Sequence, residues 1–173
     1  VRENKPVHGL DLDQAVASFL KHDDMVVAVD CVHGASRLHV RELFHRTTNP
    51  ALIVLRATAD VTFGGVAPEP STTNMRSVVA TLKESTATLK LGAIIDPDGD
   101  RIRFTDGTTE ITMNQFGAMA YHFLHEYKSK TGMVAKTVAT SNLANAIAAA
   151  FGEELYEPSV GFKNFKPVIG RAL

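Results

Sequence analysis

A single cysteine, Cys31, stands in the 173 residues, inside an apolar run, so a disulfide framework is excluded and a reducing compartment, the cytoplasm, is the expected location. An excess of one charge is also missing. The formal net charge is -1 and no basic run exceeds a few residues, which argues against duplex nucleic acid and anionic membranes as partners. No stretch approaches the roughly 18 consecutive apolar residues of a membrane span, and the polar start Val1-Arg2-Glu3-Asn4-Lys5 has no apolar segment behind it, so no targeting signal is visible. Val32-His33-Gly34-Ala35-Ser36 holds one glycine, too few for a G-x-G-x-x-G dinucleotide fingerprint. Fixed-period repeats and low-complexity segments are lacking as well. What is present, 45% hydrophobic and 21% charged residues, is the composition of a chain with a packed core.

The length suits one whole domain and part of another, because single cores usually account for roughly 100 to 150 residues. The segment Lys128-Ser129-Lys130-Thr131-Gly132 is the expected boundary, giving units 1–130 and 131–173. The chain starts on Val1, and a helical pattern from Phe165 to Leu173 runs to the end without a stop signal, so both ends are expected to be cuts in a longer protein.

The order of patterns is that of an α/β fold with a mixed, mostly parallel sheet. Leu12, Val16, Phe19 and Leu20 recur at helical spacing behind Asp11 or Asp13 as N-cap. The apolar run Met25 to Val32 reads as a strand buried on both faces, followed by a helix from Ser36, its cap, to about His45 and a second strand Ala51–Leu55. After a turn-rich stretch from Asp60 to Pro70, Ser71 caps a helix bearing Met75, Val78, Val79 and Leu82 on one face, and Leu91–Ile95 is the third strand. A hairpin with the two-residue turn Asp106-Gly107 follows. Asn114 can cap the next helix, in which Phe116, Met119, Ala120, Phe123, Leu124 and Tyr127 fit the i, i+3, i+4 template of an apolar stripe. The second unit reads as strand Met133–Ala139, helix Ser141–Phe151, Gly152 at C′ and strand Leu155-Tyr156.

Chemistry concentrates in Asp96-Pro97-Asp98-Gly99-Asp100-Arg101, at the carboxyl end of the third strand, where open α/β sheets place their ligands. Alternation throws the three carboxylates to one side, and a hard cation such as Mg²⁺ would relieve their repulsion while leaving positions for phosphate oxygens. The alternative is a solvated acidic turn, since Asp-Pro and Asp-Gly are common turn pairs. A calcium EF-hand fails on spacing: it needs Gly at the sixth position and Glu at the twelfth, which here are Arg101 and Gly107. A haloacid-dehalogenase site, with Asp96 as nucleophile and Asp98 as acid/base, fits the start of the loop but meets Asp100 where a hydroxyl residue belongs. Arg101 reads as a surface partner of the acids or as a bidentate phosphate grip. His122 and His125 share a helical face without a third ligand and read as partly exposed histidines.

Four segments together resemble the α-D-phosphohexomutase superfamily, the phosphoglucomutases and phosphomannomutases: Val29-Asp30-Cys31-Val32-His33-Gly34-Ala35, Asp60 to Gly65 with Pro68-Glu69-Pro70, the loop Asp96 to Arg101, and Val160-Gly161-Phe162-Lys163. The resemblance runs from about Met25 to the end. It implies a chain made of domain II and the beginning of domain III, with Asp96, Asp98 and Asp100 holding Mg²⁺, Arg101 positioning the phosphoryl group and Lys163 near the sugar phosphate. The implied reaction moves a phosphoryl group between C1 and C6 of a hexose phosphate through a phosphoserine and a bisphosphorylated sugar. The phosphoserine loop, the sugar-recognition loop and the domain IV phosphate loop are not in this sequence, so the chain alone is expected to be inactive and to need domains I and IV of the same protein. Thr47-Thr48-Asn49-Pro50 lacks the serine of the phosphoserine loop and reads as a turn, and Val61 stands where a glycine is common in the family. Two competitors remain, the dehalogenase-type phosphatase and a non-catalytic sugar-phosphate or metal-binding module. The short second unit is expected to pack back on the first or to self-associate through Leu143, Ile147, Phe151 and Phe162.

Overall fold

The structure is a computed structural model that describes residues 9–172, so the polar start and Leu173 lie outside the described residues. The chain divides into two compact units, 1–111 and 112–173. The expected boundary at Lys128–Gly132 is therefore corrected to the junction of Ile111 and Thr112. The helix before Lys128 packs on a helix of the second unit, which the loop composition could not reveal.

In the first unit α1 (Leu12–Leu20) precedes β1 (Met25–Asp30), α2 (Ser36–Leu43), β2 (Leu52–Leu55), a 3₁₀ turn (Phe63–Gly65), α3 (Thr72–Glu84), β3 (Leu89–Ile95), β4 (Ile102–Thr105) and β5 (Glu110–Ile111). Asp11 caps α1 by accepting from Gln14 N at 3.0 Å, and Ser71 caps α3 by accepting from Asn74 N at 3.2 Å, each satisfying a donor that a helix start leaves open. Ser36 does not cap α2: it is the first helical residue, and its neighbour Ala35 is the N-cap without a side-chain bond. That helix stops at Leu43, short of His45, because His45 and Arg46 take positive φ.

The sheet order is β2-β1-β3-β4-β5, with β1 parallel to both neighbours and β4 and β5 antiparallel. Crossovers between parallel strands are right-handed, so a chain that moves from β1 out to β2 and then back past β1 to β3 must place α2 and α3 on opposite faces. The core shows this. Val27, Val29 and Cys31 pack with Phe19 of α1 and Val40 of α2, whereas Val26 and Ala28 pack with Met75, Val78 and Leu82 of α3. The last three are fully buried, each burial stabilising by roughly 1.5–3 kcal/mol over exposure. Gly92 permits the close fit of α3, since a Cβ there would lie 2.5 Å from Val78 Cγ1, 2.7 Å from Thr105 Cγ2 and 2.9 Å from Leu82 Cδ1. The hairpin pairs Thr105 with Glu110, so its loop is Asp106–Thr109 rather than two residues. Asp106 Oδ1 accepts from Thr108 N and Thr109 N and so holds the wider turn.

The second unit holds α4 (Met113–Lys128), β6 (Val134–Ala135), α5 (Leu143–Phe151), β7 (Leu155–Tyr156), a 3₁₀ turn (Phe162–Phe165) and α6 (Lys166–Ala172), with β6 and β7 parallel. Thr112, not Asn114, caps α4, in a capping box with Gln115, while Asn114 accepts from Ser141 N at 3.1 Å. The expected stripe of α4 is not its buried face. Phe116, Met119, Phe123, Leu124 and Tyr127 are exposed, and Ala118 is the buried residue of the helix. Gly152 closes α5 in the left-handed conformation at φ +69, but the strand expected over Met133–Ala139 is reduced to two residues. Leu143 and Phe162 are exposed, and Ile147 and Phe151 half-buried. Among the described residues no helix is long and apolar enough to cross a membrane.

Candidate metal centre

The reversal of winding between β1 and β3 leaves a crevice at their carboxyl ends, and the loops that leave these two strands meet there. Ala35 N donates to Pro97 O at 2.7 Å. A Cβ on Gly34 would lie 2.2 Å from Pro97 Cα, so only glycine lets the two loops touch. The order Asp96-Pro97-Asp98-Gly99 suits a type I turn, with Asp first, Pro second and Gly fourth. Gly99 N donates to Asp96 O at 3.1 Å and Asp96 N donates to Arg101 O at 3.1 Å, closing the loop on itself. Gly99 takes φ +84, a region open to it for want of a Cβ.

The three aspartates are brought together but are not equivalent. Asp96 is fully buried, and its Oδ1 accepts from Gly99 N and Arg101 N at 3.1 Å each while Oδ2 accepts from Arg101 Nε at 2.6 Å. Burial, the largest single influence, pushes its carboxyl up, but the Arg101 backbone and guanidinium donors outweigh it and hold Asp96 below the usual carboxylate range. Asp98 and Asp100 are exposed, and one oxygen from each of the three carboxylates falls within 4.8 Å of the others. Asp100 is pushed up, first by the charge of Asp98. A cluster strained in this way by like charge is one that a cation would relieve.

Adjacent ligands in a Mg²⁺ octahedron of roughly 2.1 Å bonds are about 3 Å apart and opposite ones about 4.2 Å. The three oxygens, all within 4.8 Å of one another, would have to draw closer on an ion of this size, a movement open to the two exposed side chains. The donor set is all oxygen, as a hard cation requires, so the residues fit Mg²⁺.

Arg101 braces the turn. Its Nε also lies 3.6 Å from Asp100 Oδ1, its Nη1 lies 3.8 Å from Glu69 Oε1, and its side chain remains 53% exposed. The chain after the loop enters a hairpin rather than a helix, which departs from a dehalogenase-type site. Lys163 belongs to the second unit, exposed on the 3₁₀ turn that Asn164 braces through Nδ2 bonds to Ser159 O and Val160 O. His125 meets Glu153 Oε1 at 3.0 Å and stacks on Phe151, a structural role, and His122 is exposed. The Thr47–Pro50 segment is a turn, with Asn49 Oδ1 accepting from Ala51 N at 2.8 Å. Sequence reading passed over Gly34 and Glu69 as neighbours of the loop. It also gave no sign of the buried ion pair between Asp30 and Arg56 at 2.8 Å, joined by Ser77.

Fold and loop together define a doubly wound α/β protein with an acidic, arginine-braced loop at its ligand-binding edge. Its lineage is given by comparison with known proteins. A profile of phosphoglucomutase/phosphomannomutase, alpha/beta/alpha domain II, matches residues 11–109, and one of domain III matches residues 112–171. The chain belongs to the phosphoglucomutase/phosphomannomutase family, a family of enzymes of the isomerase and phosphotransferase type. Among solved structures it resembles a phosphoglucomutase (pp63/parafusin) from Paramecium, with 23% identity and a TM-score of 0.76 over 100% of this chain and 32% of that one. A Thermus thermophilus structure described as a phosphomannomutase gives 22% and 0.68 over 94% and 39%. An Aspergillus fumigatus N-acetylphosphoglucosamine mutase, solved with GlcNAc-6P and magnesium, gives 16% and 0.55 over 91% and 35%. At these identities the likeness is one of fold, and the chain spans between about a third and two-fifths of these structures' length. A search of curated protein sequences finds no match.

Proposed function

We propose that this chain supplies the metal-binding loop of a Mg²⁺-dependent phosphohexomutase that moves a phosphoryl group between C1 and C6 of a hexose phosphate. The observation that carries the reading is the convergence of Asp96, Asp98 and Asp100 within 4.8 Å on an arginine-braced turn, in a segment that matches domain II of the family. These three residues would hold Mg²⁺, which when bound would neutralise charge on the transferred phosphoryl group. Arg101, fixed through Nε to Asp96, keeps half its side chain exposed and offers the rest of its planar fork to phosphoryl oxygens. Lys163, a flexible exposed cation, would contact the sugar phosphate. Domains I and IV would contribute the phosphoserine and the remaining phosphate contacts, so the 173 residues alone are expected to bind metal weakly and to turn over no glucose 1-phosphate. The buried thiol of Cys31 suits a cytoplasmic setting.

Titration calorimetry with Mn²⁺ and Mg²⁺ tests the reading. Asp98 is exposed, so Asp98→Asn is expected to abolish the binding seen for the unaltered chain without measurable loss of stability. An unchanged isotherm would remove the loop from the metal site.

A further inference from the structure

Arg101 faces three carboxylates, Asp96 and Asp100 of its own loop and Glu69 from outside it. Its Nε is bonded to Asp96 at 2.6 Å, and its Nη1 faces Glu69 Oε1 at 3.8 Å. Glu69 is an exposed residue between the half-buried Pro68 and Pro70, each of which fixes its own φ near -65°. The backbone of this segment is fastened from below. Asn74, buried in the first turn of α3, donates through Nδ2 to Ala67 O at 2.7 Å and to Glu69 O at 2.8 Å. Glu69 N donates to Ala67 O and Ser71 N donates to Glu69 O, both at 2.8 Å. The fastened backbone fixes the point from which the Glu69 side chain reaches toward Arg101, and the pair then orders two long side chains as any surface pair does.

We propose that Glu69, presented by Asn74, is a positioning residue for Arg101. With Nε hydrogen-bonded to Asp96 and Nη1 facing Glu69, the Glu69 charge biases the orientation of the guanidinium. Glu69 acts through Arg101. The catalytic meaning of that orientation rests on the phosphohexomutase reading, whereas the orientation itself does not.

The test uses the full-length protein that contains this chain, comparing wild type with Glu69→Gln, which keeps length and removes charge, and with Asn74→Ala, which removes the fastening. Glu69 is exposed, so the first variant does not threaten folding even where the second does. Rotation about the Cζ–Nη bonds of Arg101, read from ¹⁵N-edited side-chain spectra, is expected to quicken about two- to fivefold in Glu69→Gln, the range open to one exposed ion pair. The same substitution is expected to lower kcat for a hexose phosphate by a similar factor with KM within twofold. Unchanged rotation, or faster rotation with kcat untouched, overturns the assignment. An inactive wild-type protein would instead refute the mutase reading, and the rotation rates would still decide whether Glu69 holds Arg101.

Discussion

Replacing Gly34 by alanine probes the joint on which the acidic loop rests. The added methyl carbon would lie 2.2 Å from Pro97 Cα, 2.6 Å from Pro97 O and 2.8 Å from Pro97 C, all backbone atoms of the opposite loop. Carbon atoms sit comfortably at about 3.5 Å, so the loops must part by on the order of 1.3 Å. Overpacking of this kind costs about 1–3 kcal/mol, and parting the loops also breaks the 2.7 Å bond from Ala35 N to Pro97 O, adding about 1 kcal/mol. A loss of about 2–4 kcal/mol is expected in urea unfolding followed by far-ultraviolet circular dichroism. Because Pro97 separates Asp96 from Asp98, Mn²⁺ binding should weaken in the same variant. Gly117→Ala is the control: nothing lies within 4 Å of the new Cβ in the helix α4, and about 0.5–1 kcal/mol of stabilisation is expected. Gly34→Ala unfolding within about 0.5 kcal/mol of wild type, with metal binding intact, would refute the tight joint.

Gly92→Ala should destabilise the first unit by about 1–3 kcal/mol, because its methyl would meet Val78, Leu82 and Thr105 between α3 and the sheet, and differential scanning calorimetry will register the drop. The second unit should lose stability at both ends of the pH range. Glu153 is held below its ordinary value of 4.5, first by the Tyr121 hydroxyl and then by Gly132 N and His125, so its contribution is present above pH 4.5 and is lost as pH falls through its lower folded value. Tyr121, raised to about 12 chiefly by burial and then by the Glu153 bond, contributes below pH 10 and loses that contribution as pH climbs to about 12. Near-ultraviolet circular dichroism of wild type and Glu153→Gln should show the acid limb flattened in the variant and the alkaline limb only partly reduced, because the burial of Tyr121 remains, and identical profiles would contradict the linkage.

The central strands were legible because burial on both faces leaves an uninterrupted apolar run, as in Met25–Val29, and α3 because Ser71 and the Met75, Val78 and Leu82 spacing agree on its start and inner face. The α4 helix misled for a physical reason. Its inner face is built from small or polar side chains, Ala118, Tyr121 and His125, while its large apolar residues point outward, so the hydrophobic periodicity indicates the wrong side. The acidic loop was visible as a cluster of charge. The burial of Asp96 alone among the three was not, because it depends on donors that only the closed turn brings round. The contacts of Gly34 with Pro97 and of Glu69 with Arg101 join segments far apart in the chain, and no local pattern marks them.

The two-residue strand β5 has a bearing on aggregation. A sheet edge with a long row of open N–H and C=O groups recruits strands from other molecules. Here the edge is Glu110 and Ile111, with Glu110 held by Arg103 at 3.2 Å and by Thr72 at 2.9 Å, and the capping box at Thr112 turns the backbone into a helix at once. A short, charged and abruptly ended edge offers a foreign strand few ladder bonds to grow on, which disfavours sheet-to-sheet pairing along β5.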